Sequence, residues 1–127
     1  MRPGVGRAGG ALGILGAMAY DEELAHRIRE ALQDRVDVTE KRMFGGLAFL
    51  VQGHMAVAAS GQGGLMARVD PADSERLVDD AHIHRVVMRG RPMDGWLRVD
   101  PAALDTDDEL AAWVARGVNY AQSLPPK

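Results

Sequence analysis

The chain contains no cysteine. Disulfides, thiolate metal sites and cysteine nucleophiles are therefore excluded together, and the composition fits a reducing compartment, so residence in the cytoplasm is expected. Aromatic residues are scarce, with two Phe, two Tyr and two Trp in 127 residues, which gives thin support for stacking nucleic-acid bases. No apolar run approaches the roughly 18 residues of a membrane-spanning helix, and no membrane association is expected. There is no G-x-x-x-x-G-K-[ST] loop, and no G-x-G-x-x-G lies between a strand and a helix of a parallel unit. None of Ser60, Ser74 and Ser123 sits in a G-x-S-x-G elbow. No catalytic residues, no cofactor and no small-molecule substrate are expected.

Hydrophobic residues make up 46% and charged residues 26% of the chain, a balance that buries one core and lies far from the signature of disorder. At this length one domain is expected. Lys and Arg number 15 against 18 Asp and Glu, a formal net charge of -3. The field of the whole molecule does not attract a polyanion, so nucleic-acid binding would need a local basic patch.

Residues 1–17 are rich in Gly and Ala, with Arg2 and Arg7 ahead of an apolar patch at Leu12, Ile14 and Leu15. With Ala17-Met18-Ala19 they follow the outline of a signal peptide and its A-x-A cleavage site. Gly13 and Gly16, however, interrupt the patch and weaken the helix such a centre forms. The expectation is a disordered extension over 1–17, with the domain occupying 18–127 and Met18 as its start.

From Asp21 onward, Leu24, Ile28, Ala31 and Leu32 recur on one helical face. Asp21 is the expected N-cap, Glu22 and Glu23 meet the positive end of the helix dipole, and Glu23 is spaced to pair with Arg27. His26 points away from the apolar stripe and reads as a solvated helix residue. Short strands follow. Lys41 to Phe44 leads into Gly45-Gly46, Leu47 to Val51 is a continuous apolar run, and Gln52-Gly53 turns the chain. Met55, Val57 and Ala59 then alternate, the Ser60–Gly64 cluster turns again, and Leu65, Ala67 and Val69 alternate in their turn. This is an antiparallel meander.

Asp70-Pro71 opens a short helix carrying Leu77 and Val78. A strand is expected over Arg85 to Met88, a loop over Arg89 to Asp94, and a strand over Trp96 to Val99. Thr106 and Glu109 have the spacing of a capping box. Leu110, Trp113, Val114, Gly117, Val118 and Ala121 then hold one apolar stripe until Pro125-Pro126 ends the helix. Arg68-Val69-Asp70-Pro71-Ala72 recurs as Arg98-Val99-Asp100-Pro101-Ala102, which reads as a joint between strand exit and helix entry. The fold class is α+β.

A search for chemistry finds two patterns. His82-x-His84 places two imidazoles on one face of a strand, with Asp79, Asp80 and His54 as further candidates, but no third ligand is fixed by spacing, so no metal is expected. Asp105, Asp107, Asp108 and Glu109 are accounted for by helix capping. Lys41, Arg42, Arg68, Arg85, Arg89, Arg91 and Arg98 fall on expected strands and their loops. If they share the sheet face away from the helices, that face suits an acidic protein segment or a phosphate backbone. If they pair with nearby acids, they only keep the sheet soluble.

The run Thr39-Glu40-Lys41-Arg42-Met43-Phe44-Gly45-Gly46-Leu47-Ala48-Phe49 resembles the N-terminal domain of the TfoX/Sxy family, bacterial proteins named for regulators of natural competence. The resemblance extends to Met18-Ala19-Tyr20-Asp21-Glu22, Gly53-His54-Met55, Gly90-Arg91-Pro92-Met93 with Gly95-Trp96, and Ser123-Leu124-Pro125-Pro126-Lys127. It implies a two-layer fold similar to secretion chaperones, an antiparallel sheet with helices on one face in the order helix, three to four strands, helix, two strands, helix. It implies no enzymatic activity and no catalytic residues. The competence regulators carry a second, C-terminal domain, and this chain reads as the first domain standing alone. The function expected is that of a regulatory or adaptor module binding a protein partner or a second copy of itself. The expected contacts are Met43, Phe44, Arg91, Met93 and Trp96. Nucleic-acid binding through the basic strand residues is the alternative, and a metal enzyme using His54, His82 and His84 ranks below it.

Overall fold

The computed structural model describes residues 20–43, 45–79 and 81–126; the segment 1–17, with its expected extension or signal peptide, lies outside the described residues. Helix α1 (Glu22–Ala31) leads into strands β1 (Val38–Met43), β2 (Gly46–Val51), β3 (His54–Ala59) and β4 (Leu65–Arg68). A 3-10 turn at Pro71–Asp73 and the single-turn helix α2 (Ser74–Leu77) follow. Strands β5 (Ile83–Met88) and β6 (Arg91–Val99), a second 3-10 turn at Pro101–Leu104 and helix α3 (Asp107–Ser123) complete the chain. All strand pairs are antiparallel, in the order β1-β2-β3-β4-β6-β5. The fold is α+β, a six-stranded sheet with its helices on one face.

Helix α1 begins where Asp21 accepts hydrogen bonds from the backbone N–H groups of Glu23 and Leu24, at 2.9 and 3.2 Å. Its buried face is Leu24, Ala25 and Ile28, and Ala31 is exposed rather than on the apolar stripe. The expected pair of Glu23 with Arg27 does not form the anchor of this helix. Arg27 reaches instead to the turn before α3 and to its first residue, donating to the Leu104 carbonyl at 2.8 Å and lying 3.4 Å from Asp107. Helix α3 follows the sequence closely. Both halves of the Thr106–Glu109 capping box are formed, and all six residues of the apolar stripe are buried.

The main core lies between the helices and the sheet. Leu47, Phe49 and Val51 of β2, Val57 and Ala59 of β3, Leu65 and Ala67 of β4, and Leu97 and Val99 of β6 meet Ile28 of α1 and Trp113, Val114 and Val118 of α3. The Asp-Pro joints behave alike: Val69 and Val99 are both buried, and each is followed by a 3-10 turn beginning at the proline.

Two strand readings need correction. Met55 does not share a face with Val57 and Ala59, because a bulge shifts the β2–β3 register between Phe49 and Leu50. An extra residue on one strand rotates every later side chain to the other face. The segment Arg89 to Asp94 is not a loop. Arg89 and Gly90 alone make the turn, with φ of 53° and 79°, as two-residue hairpins require. Strand β6 begins at Arg91 and pairs Arg91 with Met88, Pro92 with Val87 and Met93 with Val86. Proline is tolerated there because β4 pairs only with residues 96–99 of β6, leaving this part of the strand an edge.

Candidate functional site

Directly opposed residues of antiparallel strands share a sheet face, so the register decides which side chains meet on the face away from the helices. Lys41 lies opposite Ala48 and Met43 opposite Gly46. Ala58 lies opposite Met66, Met66 opposite Arg98, Arg68 opposite Trp96 and His84 opposite Arg98. The result is a second apolar cluster. Ala48, Ala58 and Met55 form its buried floor, and Met43, Leu50, Met66 and Trp96 pack around them half-buried. Small residues on the middle strands keep the floor shallow, and flexible methionines fill the irregular surface above it, a composition suited to surfaces that adapt to a partner.

Cations surround this cluster without all joining it. Lys41, Arg68 and Arg98 share its face. Arg42, opposite Leu47, is on the helix side, where its guanidinium lies 6.0 Å from the Tyr20 ring. Arg85, opposite Leu97, forms an ion pair with Asp94 at 3.3 Å. Arg89 is in the hairpin turn and Arg91 on the exposed start of β6. The basic strand residues therefore divide between the two faces and the hairpin. Of the expected contact residues, Met43 and Trp96 belong to the apolar cluster, Met93 lies opposite Val86 beyond it, Arg91 is exposed, and Phe44 lies outside the described residues.

Arg68 is held by two rings. Its guanidinium carbon is 5.0 Å from the Trp96 centroid and 5.4 Å from that of Tyr120 on α3, both inside the range of cation–π attraction. Tyr120 had no signal in the sequence, because it lies off the apolar stripe of its helix. Leu50 and Met66 were hidden for a related reason: each sits within a run whose neighbours face the main core.

The histidines are engaged separately. His54 Nε2 donates to the Pro125 carbonyl at 2.6 Å, tying the end of α3 to the start of β3, and its Nδ1 is buried without a partner among the described residues. His82 and His84 lie on either side of Asp100, at 3.8 and 3.4 Å. The Asp79 carboxylate is occupied by the backbone: the N–H groups of His82 and Ile83, both at 2.8 Å, and of Ala81 at 3.1 Å donate to one oxygen. These bonds hold its carboxyl below the ordinary value of 3.8. Asp80 lies outside the described residues. Among the described residues, no group of three or more His, Asp or Glu is arranged to hold a metal ion. No described helix is long and apolar enough to cross a membrane.

The class of protein defined by these features is an α+β domain with one helix-covered sheet face and one open face carrying a methionine-rich cluster. The TfoX N-terminal domain family matches residues 30–121, and the chain belongs to that family. No curated protein and no solved structure matches the chain.

Proposed function

We propose that this chain is a non-catalytic regulatory domain of the TfoX N-terminal type, which acts in the cytoplasm by binding a protein partner on its open sheet face. One observation carries the reading: Met43, Leu50, Met66 and Trp96 form a half-buried apolar surface on the side of the sheet opposite the helices, with Lys41, Arg68 and Arg98 on the same face. An apolar centre with aromatic and methionine side chains and a polar rim is the usual anatomy of a protein interface. The absence of a catalytic motif in the sequence supports the non-catalytic part of the reading, and the lack of cysteine supports the compartment.

A photoreactive residue in place of Lys41, on the open face, is to be compared with one in place of Ala111, on the exposed side of α3. A discrete adduct in host cells from position 41 and none from 111 is the expected result. Light scattering of the purified chain then separates a second copy of the domain from a different protein. Equal labelling from both positions, or none from either, rejects the open face. Nucleic-acid binding has weaker support, because Arg42 and Arg85 are turned away from this face or paired.

A further inference from the structure

The open face ends on its β5 side in a cavity of about 210 Å³, bounded by the turn at Ser60 and Gln62, Met66 on β4, Arg98 on β6 and residues 84–88 of β5. Sites that enclose a whole small-molecule ligand run from about 300 to 1,000 Å³. This one is sized for a single functional group on a short stem. His84, Arg85 and Arg98 line it, and no carboxylate does. Asp100 stands beside His84 and Asp94 beside Arg85. Among the described residues Arg98 forms no ion pair, and its Nε, like that of Arg85, is buried without a hydrogen-bond partner. A buried donor on a permanent cation is costly when it lacks an acceptor, and an oxyanion supplies one. The Ser60 hydroxyl accepts from the Gln62 N–H at 3.1 Å and keeps its own proton to donate.

The lip of the cavity is apolar. Val87 is 61% and Met88 37% exposed, and both lie on β5, the terminal strand of the sheet. The start of β5 is occupied, since the Asp79 N–H donates to the Ile83 carbonyl at 3.1 Å, but beyond it the outer edge faces no neighbouring strand among the described residues. Such an edge accepts an added strand through main-chain hydrogen bonds, with alternate side chains entering adjoining pockets. Cationic pocket, apolar lip and open edge together select an occupant that is extended, apolar and acidic.

We infer that an acidic segment of a protein partner adds to the edge of β5 and seats one carboxylate in the cavity against Arg98. This rests on the protein-binding reading above and names the chemistry of the partner. The test uses the full chain and a fluorescein-labelled octapeptide of alternating valine and glutamate, followed by anisotropy and by 15N chemical shifts. Binding is expected to perturb residues 84–88 and Arg98 and to weaken as salt rises. Affinity is expected to fall at least tenfold in Arg98→Met, to recover in part in Arg98→Lys, and to fall in Val87→Asp, whose exposed position leaves the fold intact.

A valine–lysine peptide that binds equally well overturns the proposal, as does an unchanged affinity in Val87→Asp or in folded Arg98→Met. Inorganic phosphate is the second arm. Competition between phosphate and the peptide supports a shared oxyanion pocket, whereas phosphate shifting Arg98 with no peptide binding assigns the cavity to a free anion and overturns the protein segment. Crosslinking from Lys41 that persists in Arg98→Met leaves the open face standing while this pocket falls.

Discussion

The backbone carbonyl of Ala56 on β3 lies directly against Gly117 on α3. A Cβ at Gly117 would clash with that carbonyl oxygen and sit 2.8 Å from its carbon and 3.0 Å from a Val57 methyl. The obstacle is backbone, so no rotamer change relieves it. Helix and sheet approach this closely only because the position is bare.

Gly117→Ala is therefore expected to destabilise the domain. Overpacking costs about 1–3 kcal/mol, while replacing a mid-helix glycine returns about 1 kcal/mol of helix propensity. A net loss of up to about 2 kcal/mol is expected as a lower urea midpoint. A midpoint that stays level or rises would show that α3 retreats from β3 without cost.

Glu40 on β1 accepts two hydrogen bonds from Arg29 on α1, at 2.7 and 2.9 Å. The guanidinium holds the Glu40 carboxyl below its ordinary value of 4.5. A carboxyl whose folded pKa is lowered contributes stability that is present above the unfolded pKa and is lost as the pH falls through the folded one. Both side chains are partly exposed, so solvent screening limits the pair to about 0.2–1 kcal/mol. Glu40→Gln is expected to lower stability by that amount at pH 7 and to converge with the unmodified chain as the pH falls below 4.5. A difference that persists after full protonation would assign the effect to packing instead.

Arg68→Met keeps most of the side-chain stem and removes the charge between Trp96 and Tyr120. A loss of about 0.5–2 kcal/mol is expected in chemical denaturation. In the double-mutant cycle with Tyr120→Leu, the two losses should be less than additive. Strict additivity would mean that Tyr120 and Arg68 are neighbours without coupling.

Thr106→Ala removes the oxygen that accepts from the Glu109 N–H at 3.1 Å and also frees the Glu109 side chain from its hydroxyl. Loss of an N-cap typically costs about 0.5–2 kcal/mol. The loss should appear first as faster amide exchange in the opening turn of α3. Protection unchanged at Glu109 and Leu110 would show that the acidic first turn suffices without the cap.

The parts legible in the sequence are those dictated by local chemistry. The capping box, the stripe from Leu110 to Ala121, the Gln52-Gly53 turn and the two Asp-Pro joints each require only residues a few positions apart. At Gly46 the backbones approach closely, and an added Cβ there would lie 3.0 Å from the Gly61 backbone nitrogen. The parts missed depend on pairings across the sheet. A bulge at Phe49/Leu50 sent Met55 to the open face, and nothing within β3 announces it. Pro92 and Gly95 disguised the first half of β6 as a loop, because the signals that mark loops also mark strand edges and bulges. Arg27 had a suitable acid four residues away and took one 80 residues away instead. The open face itself was expected, but its methionine-rich cluster and the division of the arginines follow from register, which no local window contains.

The β5–β6 hairpin is anchored unevenly. Residues 97–99 of β6 are paired with β4 on one side and β5 on the other, whereas among the described residues Arg91 to Met93 pair with β5 alone. Irregular pairing after Arg85 and a left-handed Gly95 fall between the two halves. The sheet is thus graded in support, with a root held on both sides and a tip held on one. Contacts made by Val87 and Met88 fall on that less supported tip, where local opening is expected to cost less than unfolding of the whole domain.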